Sequence, residues 1–305
     1  MTPGKTTARL PPRDHMRKAL GLLFDRLAQR AMRGSVALGE LSLQTQLSSE
    51  WARLRAEARM REPQSLAAAG YKVYSQFDED GILAAILARL DTPHRPKTCV
   101  EIGCSDGLEN ITHWLILQGF RGAWFDASSA CIAAIEQALG GLDFPFLRVR
   151  QAFVDVKNVV DLFAEARAFL RTDDPDVLAV DIDGNDLAVV KVLLTVAQPR
   201  VLVVEYNAKF PPPVCLAIDY TPEFRWHEDD YQGASLMAWC ESLLGYQLVA
   251  CSLGGVNAFF VRQDLAGNFP TSTPADLFEP PRYHLARIRT GHAPTLTWLR
   301  QVVRR

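Results

Sequence analysis

The chain has little of what marks a secreted, membrane-spanning or nucleic-acid-coating protein. Its formal net charge is only -2, so no global field draws it to nucleic acid or to an anionic membrane surface. Its six cysteines (Cys99, Cys104, Cys131, Cys215, Cys240 and Cys251) form no CxxC pair and no zinc-ligand spacing. Several lie inside apolar runs, the usual place of reduced core thiols, which points to a cytoplasmic protein. No apolar run reaches the roughly 20 residues of a membrane span. Met1 to Leu10 is polar and lacks the apolar stretch of a signal peptide. Internal repeats and low-complexity tracts are also missing. A disulfide framework, an integral membrane protein and a polyanion binder are thereby excluded.

What remains is ordinary globular composition, 305 residues at 48% hydrophobic and 22% charged. From Lys97 onward, short apolar runs alternate with helical patterns. Strands are expected over Thr98–Ile102, Ala123–Phe125, Phe146–Val149 continuing to Val154, Val177–Asp181 and Val201–Tyr206. Helices are expected over Asn110–Gln118, Ala130–Leu139, Val159–Leu170 and Leu187–Val196. That alternation builds βαβ units and a parallel sheet. A Pro-rich irregular stretch, Phe210–Gln232, leads to a helix over Leu236–Leu244. Tyr246–Ser252 and Asn257–Arg262 then flank Gly254-Gly255 and read as a hairpin. The expected fold class is therefore α/β: a Rossmann-like, doubly wound, mostly parallel sheet ending in an antiparallel hairpin, with an N-terminal helical extension.

The divisions read as 1–70 for the extension, 71–269 for the Rossmann domain with an insertion at 208–232, and 270–305 for a tail. Pro12 to Met60 is helical in pattern, with Leu20, Leu23, Phe24, Leu27 and Ala31 at helical spacing. Glu50–Glu62 is a further charged helical piece. This region reads first as an arm packed on the domain, then as an oligomerisation arm between copies of the chain or a lid, and last as a basic membrane-surface helix. The tail, Pro- and Thr-rich and then basic, is expected to wrap the surface.

Chemistry concentrates at strand ends. Cys99-Val100-Glu101-Ile102-Gly103-Cys104-Ser105-Asp106-Gly107 is an apolar run ending in an acid, then a small-residue turn, then a helical pattern. In an α/β sheet such a turn presents backbone N–H groups and a carboxylate to a nucleoside-type cofactor. Its GxSxG spacing also matches a nucleophile elbow around Ser105, but an elbow gives Glu101 no role. Asp126, about 20 residues past the turn, is placed to accept hydrogen bonds from ribose hydroxyls, with Ala127 beside it. Asp155 after the third strand would lie beside a nucleobase, with Phe153 or Val154 as apolar contact. For both acids a helix N-cap is the competing structural role.

Asp181-Ile182-Asp183-Gly184-Asn185-Asp186 crowds carboxylates after the fourth strand, and Glu205-Tyr206-Asn207 adds oxygens after the fifth. Packed carboxylates raise one another's pKa unless a cation or proton intervenes. Oxygen ligands on adjacent strand ends suit a hard cation such as Mg²⁺, with Asp181, Asp183 and Glu205 as the candidate metal ligands. A hydrogen-bonded turn without metal is the competing reading. His227, in the insertion over the strand ends, is a candidate general base, as is Asp183.

Val100-Glu101-Ile102-Gly103, Asp106-Gly107 with Asn110, the acid after the second strand and the terminal hairpin together resemble class I S-adenosylmethionine-dependent methyltransferases. Ser75-Gln76-Phe77-Asp78-Glu79-Asp80-Gly81 and Asp181 to Asp186 are similar, more narrowly, to FkbM-type methyltransferases. The resemblance covers Tyr71 to Arg262. It departs from the common GxGxG by having Ser105 at the centre. It implies that Gly103, Ser105 and Gly107 approach the methionine part of S-adenosylmethionine, with Glu101 near its amine. Asp126 would hold the ribose and Asp155 the adenine amino group, while Gln76 and Glu79 close one side. The expected activity is transfer of a methyl group to a hydroxyl of a small molecule or sugar, with metal assistance as an option. The rivals are a metal-dependent glycosyltransferase using Asp181 and Asp183 as a DxD site, and a non-catalytic binding module.

Overall fold

A computed structural model describes residues 13–90 and 97–305, with 13–31 and 34 described by their helical backbone alone. The polar stretch Met1 to Leu10 lies outside the described residues, as do the side chains of Leu20, Leu23, Phe24, Leu27 and Ala31. The chain divides into two units, residues 1–50 and 51–305. What reads in the sequence as two helical pieces is one helix of 49 residues, α1 (Arg13–Arg61), which runs through that division. The second unit holds the rest.

After α1 the order is α2 (Glu79–Arg89), β1 (Thr98–Ile102), α3 (His113–Leu117), β2 (Arg121–Asp126), α4 (Ser129–Leu139), β3 (Leu147–Gln151), α5 (Val159–Leu170), β4 (Val177–Val180), α6 (Asp186–Leu193) and β5 (Val201–Glu205). Then come α7 (Leu236–Ser242), β6 (Tyr246–Cys251), β7 (Asn257–Arg262), α8 (Pro274–Leu277) and α9 (Thr297–Val303). The seven strands form one sheet in the order β3-β2-β1-β4-β5-β7-β6. β1 to β5 pair in parallel, while β7 is antiparallel to both β5 and β6. This is the doubly wound, mostly parallel sheet with an antiparallel hairpin that the sequence pattern predicts.

The central strands are apolar on both faces because helices cover both. Along β4, Val177 and Ala179 join one core cluster and Leu178 and Val180 the other. β5 repeats this, with Val201 and Val203 opposed to Leu202 and Val204. Period-two alternation within a continuous apolar run is what a parallel strand buried on both faces requires. The sheet reverses direction of winding between β1 and β4. At such a switch point the two loops leave in opposite directions and open a crevice beyond the carboxyl ends of the strands.

Three elements differ from expectation. The helix expected over Asn110–Gln118 begins only at His113, because Asn110, Ile111 and Thr112 are tied to Glu101 rather than to a helical turn. The third strand stops at Gln151 instead of reaching Val154, since Asn158 takes the local backbone into a turn through Phe153 O and Asp155 N. The tail does more than wrap the surface. Leu296, Leu299 and Val303 are buried in the core, and Arg304 donates to Leu139 O at the end of α4.

His113 opens α3 fully buried, with Nδ1 2.7 Å from Gly107 O and its ring stacked on Tyr74 at 3.8 Å. Burial lowers its pKa to about 4, against the opposing pull of the Gly107 carbonyl. A histidine that titrates lower when folded favours the unfolded chain as pH falls from about 6.5 towards that folded value. Urea denaturation between pH 7 and 4 should show this loss, on the order of 3 kcal/mol at about 1.4 kcal/mol per pKa unit. In His113→Phe that component should vanish. Equal pH slopes in the two proteins would show that His113 is not held neutral.

Candidate functional site

The crevice at the switch point is a cleft of about 490 Å³. Its lining includes Gln76, Glu101, Gly103, Ser105, Asp126, Ala127, Val154, Asp181 and Asp183. Nine residues singled out from the sequence thus converge on one cavity. Glu79, Gly107, Asp155, Glu205 and His227 do not line it.

The glycine turn has a steric cause. Gly103 sits at φ +93°, and a Cβ there would lie 1.6 Å from Asp181 O. No other residue lets β1 and β4 approach so closely. Ser105 follows in the left-handed region at φ 50°, and so does Asp183 at φ 55°. Left-handed backbone at non-glycine residues is costly, and both of these face the cleft. Asp126 stabilises the turn from β2: one oxygen accepts Ser105 N–H at 2.7 Å and the other Ser128 N–H at 2.7 Å.

Glu101 is 2% exposed and committed to its own loop. It accepts Ile111 N–H at 2.7 Å, Thr112 N–H at 2.9 Å, Asn110 Nδ2 at 2.9 Å and Thr112 Oγ1 at 2.5 Å. Burial raises its pKa and these donors pull it back. Glu79 is also buried away from the cleft, receiving Phe77 N–H at 2.8 Å and Asn257 Nδ2 at 3.0 Å. Its hydrogen bond to Asn257 and its charge, which raises Asp181, link it to the cleft. Gly107 belongs to the turn behind the site, its N–H bonded to Cys104 O. Asp155 is engaged by Tyr220 Oη at 2.6 Å and by Val156 N–H at 2.6 Å, and so helps to fix the insertion.

The acidic cluster divides into two parts. Asp186 is a turn acid: its oxygens accept Ile182 N–H and Gly184 N–H, each at 2.8 Å. Asp181, Asp183 and Glu205 are different, because each offers an oxygen within 4.8 Å of the others. Among the described residues no donor bonds their carboxylates, and Glu205 Oε2 is buried without a partner. Burial, then the charges of Asp186, Asp183, Glu101 and Glu79, hold Asp181 well above the usual carboxylate range. Burial, then the charges of Asp181, Asp186 and Asp183, do so for Glu205, and burial with Asp126 raises Asp183. Asn207, read from the sequence as a further oxygen ligand, is used internally. Its amide donates to Asp230 O and Gln232 O, and its oxygen accepts from Lys209 N–H.

The insertion closes one side. Phe224 lines the cleft and packs so near Gly184 that a Cβ there would meet its ring at 2.3 Å. Asn185 anchors the insertion by donating to Thr221 O at 2.8 Å. His227, expected over the strand ends, is instead exposed in the insertion and absent from the lining.

Sequence reasoning overlooked Asn257 and Phe224 as lining residues and gave Asn110 no role of its own. Asn257 did carry a signal: it is the polar residue that opens the otherwise apolar Ala258-Phe259-Phe260-Val261. Phe224 carried none, lying in an irregular segment.

Mutual repulsion in the cluster gives a measurable sign. An acid whose folded pKa is raised contributes fully to stability below about pH 4, and that contribution is lost as pH climbs through the raised folded value. Asp181→Asn and Glu205→Gln should therefore stabilise the ligand-free protein at neutral pH, by about 0.5–2 kcal/mol. Both should also flatten its decline with rising pH. Variants less stable than wild type, with an unchanged pH slope, would show that the carboxylates are internally satisfied.

No family model matches the chain, and no curated protein matches it. Among solved structures, it is similar to a fibrillarin/Nop5p complex at 14% identity and TM-score 0.39, covering 62% of this chain and 81% of that one. It is similar to the N-terminal domain of EvdMO1 with SAH bound at 13% identity and TM-score 0.38, covering 69% and 94%. It is similar to the methyltransferase domain of bacterial CtHen1-C at 14% identity and TM-score 0.40, covering 61% and 97%.

Proposed function

We propose that the chain is an S-adenosylmethionine-dependent methyltransferase acting on a hydroxyl of a small molecule or sugar. The observation that carries this reading is the cleft's one-sided chemistry. Among the described residues its lining holds Glu101, Asp126, Asp181 and Asp183 and no Lys or Arg. A concentration of carboxylates around a low-dielectric cleft favours a ligand with positive charge. S-adenosylmethionine brings an ammonium and a sulfonium. A nucleoside diphosphate sugar brings two negative phosphates and would meet no cationic side chain. All six cysteines are free thiols, which supports a cytoplasmic setting.

In this reading the Gly103 turn lets the ligand approach the β1 backbone, and Asp126 accepts from the ribose hydroxyls. Ala127 and Val154 offer apolar contact to the base. Asp155 is committed to Tyr220, so the base contact passes to the β3 loop around Val154. When bound, the donor supplies an electrophilic methyl on sulfur. The acceptor oxygen would take that carbon, with the carbon–sulfur bonding pair leaving on sulfur. Asp183, exposed on the cleft rim, is the better-placed group to hold the hydroxyl proton, because His227 does not reach the cleft. Alignment of donor and acceptor is the main contribution of such a site.

Asp181, Asp183 and Glu205 would hold a divalent cation. Their oxygens lie within 4.8 Å of one another, a span that ligand bonds of about 2.0–2.6 Å can bridge. When bound, the ion would lower the proton affinity of the acceptor hydroxyl.

Saturating S-adenosylhomocysteine should raise thermal stability, by about 2.7 kcal/mol at a hundredfold excess over Kd. Asp126→Ala should weaken that binding on the order of 10- to 100-fold, the worth of a charge-assisted hydrogen bond, while the ligand-free chain still melts cooperatively. No shift with this ligand but a clear one with a nucleotide sugar would transfer the chain to the glycosyltransferase reading.

A further inference from the structure

The amino-terminal edge of the sheet, opposite the cleft, gathers positive charge. Arg121 opens β2, and Arg148 lies on the edge strand β3, in register with Ala123. Residues two apart on a strand share a face, so both arginines project to the side covered by α5. There both guanidinium groups lie over the ring of Phe169, a buried residue of α5, at 4.3 and 4.7 Å from its centroid. Arg171 follows at the C-terminus of α5, exposed and in the left-handed region at φ 59°. Asp143 pairs with Arg148 and Arg150, and Asp173 with Arg167. Among the described residues no carboxylate pairs with Arg121 or Arg171, and Arg121 Nε is buried with no hydrogen-bond partner. Burial, then the charges of Arg171 and Arg148, hold the Arg121 guanidinium below its ordinary pKa. Like charges crowded together without a counter-charge cost free energy that a bound anion offsets.

We propose that Arg121, Arg148 and Arg171 bind the phosphate group of a soluble ligand, at a site separate from the cleft. Charge selects phosphate over carboxylate. Arg121 and Arg171 leave two positive charges uncompensated, and a phosphate group carries about -1.5 to -2 at pH 7 where a carboxylate carries one. Geometry selects it as well. The guanidinium groups come from three elements, β2, β3 and the end of α5, and planar forks converging from several directions suit a tetrahedral anion with several oxygens. Arg148 is bonded to Asp143 through Nε alone, which leaves its terminal nitrogens for the ligand. Phe169 holds the Arg121 and Arg148 groups in place before the ligand arrives, so little side-chain freedom is lost on binding. A single group fits better than a membrane surface, because Arg121 is half-buried over a buried ring. Arg121 and Asp126 stand at opposite ends of β2, about 17 Å apart at ~3.3 Å per residue. The site therefore does not depend on the cofactor reading.

The test titrates inorganic phosphate into the full chain at constant ionic strength, with acetate as the monoanionic control. Phosphorus-31 line broadening and the melting temperature are followed together. Phosphate should bind saturably and raise the melting temperature, as any ligand of the native state does, while acetate at the same ionic strength should do neither. Arg121→Gln should weaken phosphate binding on the order of tenfold or more, the worth of a charge-assisted hydrogen bond. Its ligand-free melt checks folding, and Arg171→Gln, at an exposed position, makes the same test should the first variant not fold. The proposal is overturned if phosphate changes nothing that acetate does not, or if a folded arginine variant binds phosphate as wild type does. It is also overturned if vesicles containing phosphatidic acid bind the chain while inorganic phosphate does not, which would make the patch a membrane contact. Failure to bind S-adenosylhomocysteine would leave it standing, since the two sites lie at opposite edges of the sheet.

Discussion

The buried carboxylate of Glu101 is the constraint from which the site is built. It lies one residue before the end of β1, inside the protein, where an ionised group survives only if donors surround it. The chain provides them from the loop that follows, and in doing so it bends. Asn110 to Thr112 wrap the carboxylate instead of extending α3, so the helix starts late and the glycine turn is held over the strand end. Thr112 Oγ1 also accepts Trp124 Nε1–H from β2, which couples the clamp to the neighbouring strand. One acid thus fixes the loop, the helix start and the β1–β2 edge together.

The same device recurs on the far side of the cleft. Glu79, at the start of α2, holds the amide of Asn257 at the start of β7 and leaves that residue's oxygen without a partner. Asn257 pairs in register with Glu205 on β5, whose Oε2 is also bare. The two buried acids spend their oxygens on donors of the chain itself. They convert flexible amides into fixed acceptors, and fixed acceptors are preorganised at no cost when a ligand arrives. The cost appears earlier, as repulsion among Asp181, Asp183 and Glu205 in the ligand-free fold.

How legible this was in the sequence depends on the range of the interaction. Strand and helix alternation is local, and it located the strands, the order of elements and the terminal hairpin. The strand-end acids Glu101, Asp126 and Asp181 were legible because a parallel sheet gathers its carboxyl ends on one edge. Partnerships between distant segments were not. Glu79 and Asn257 are 178 residues apart, and no pattern near either announces the other. α9 looked like surface because it is short and ends in basic residues, yet Leu299 and Val303 insert into the core beside α3 and α4. His227 illustrates the opposite error. A histidine in a loop over the strand ends suggests a base, but an irregular segment does not specify where its side chains point.

The insertion shows how an irregular segment acquires a definite position. Two of its anchors are polar and reach back to the β4 and β3 loops: Asn185 to Thr221, and Tyr220 to Asp155. Gly184 then admits Phe224, whose ring any larger residue would displace. The loop after β4 thus serves two partners at once. Asp186 satisfies its backbone from within, Asn185 binds the insertion, and only then is Asp183 left to face the cleft in a left-handed conformation. A carboxylate held in that backbone region, beside two others with no donors, is maintained by the surrounding contacts rather than by its own preference. Its exposure to the cavity is therefore a property of the whole β4 loop and insertion, and the chemistry of the cleft depends on contacts by residues such as Asp186 and Thr221 that do not line it.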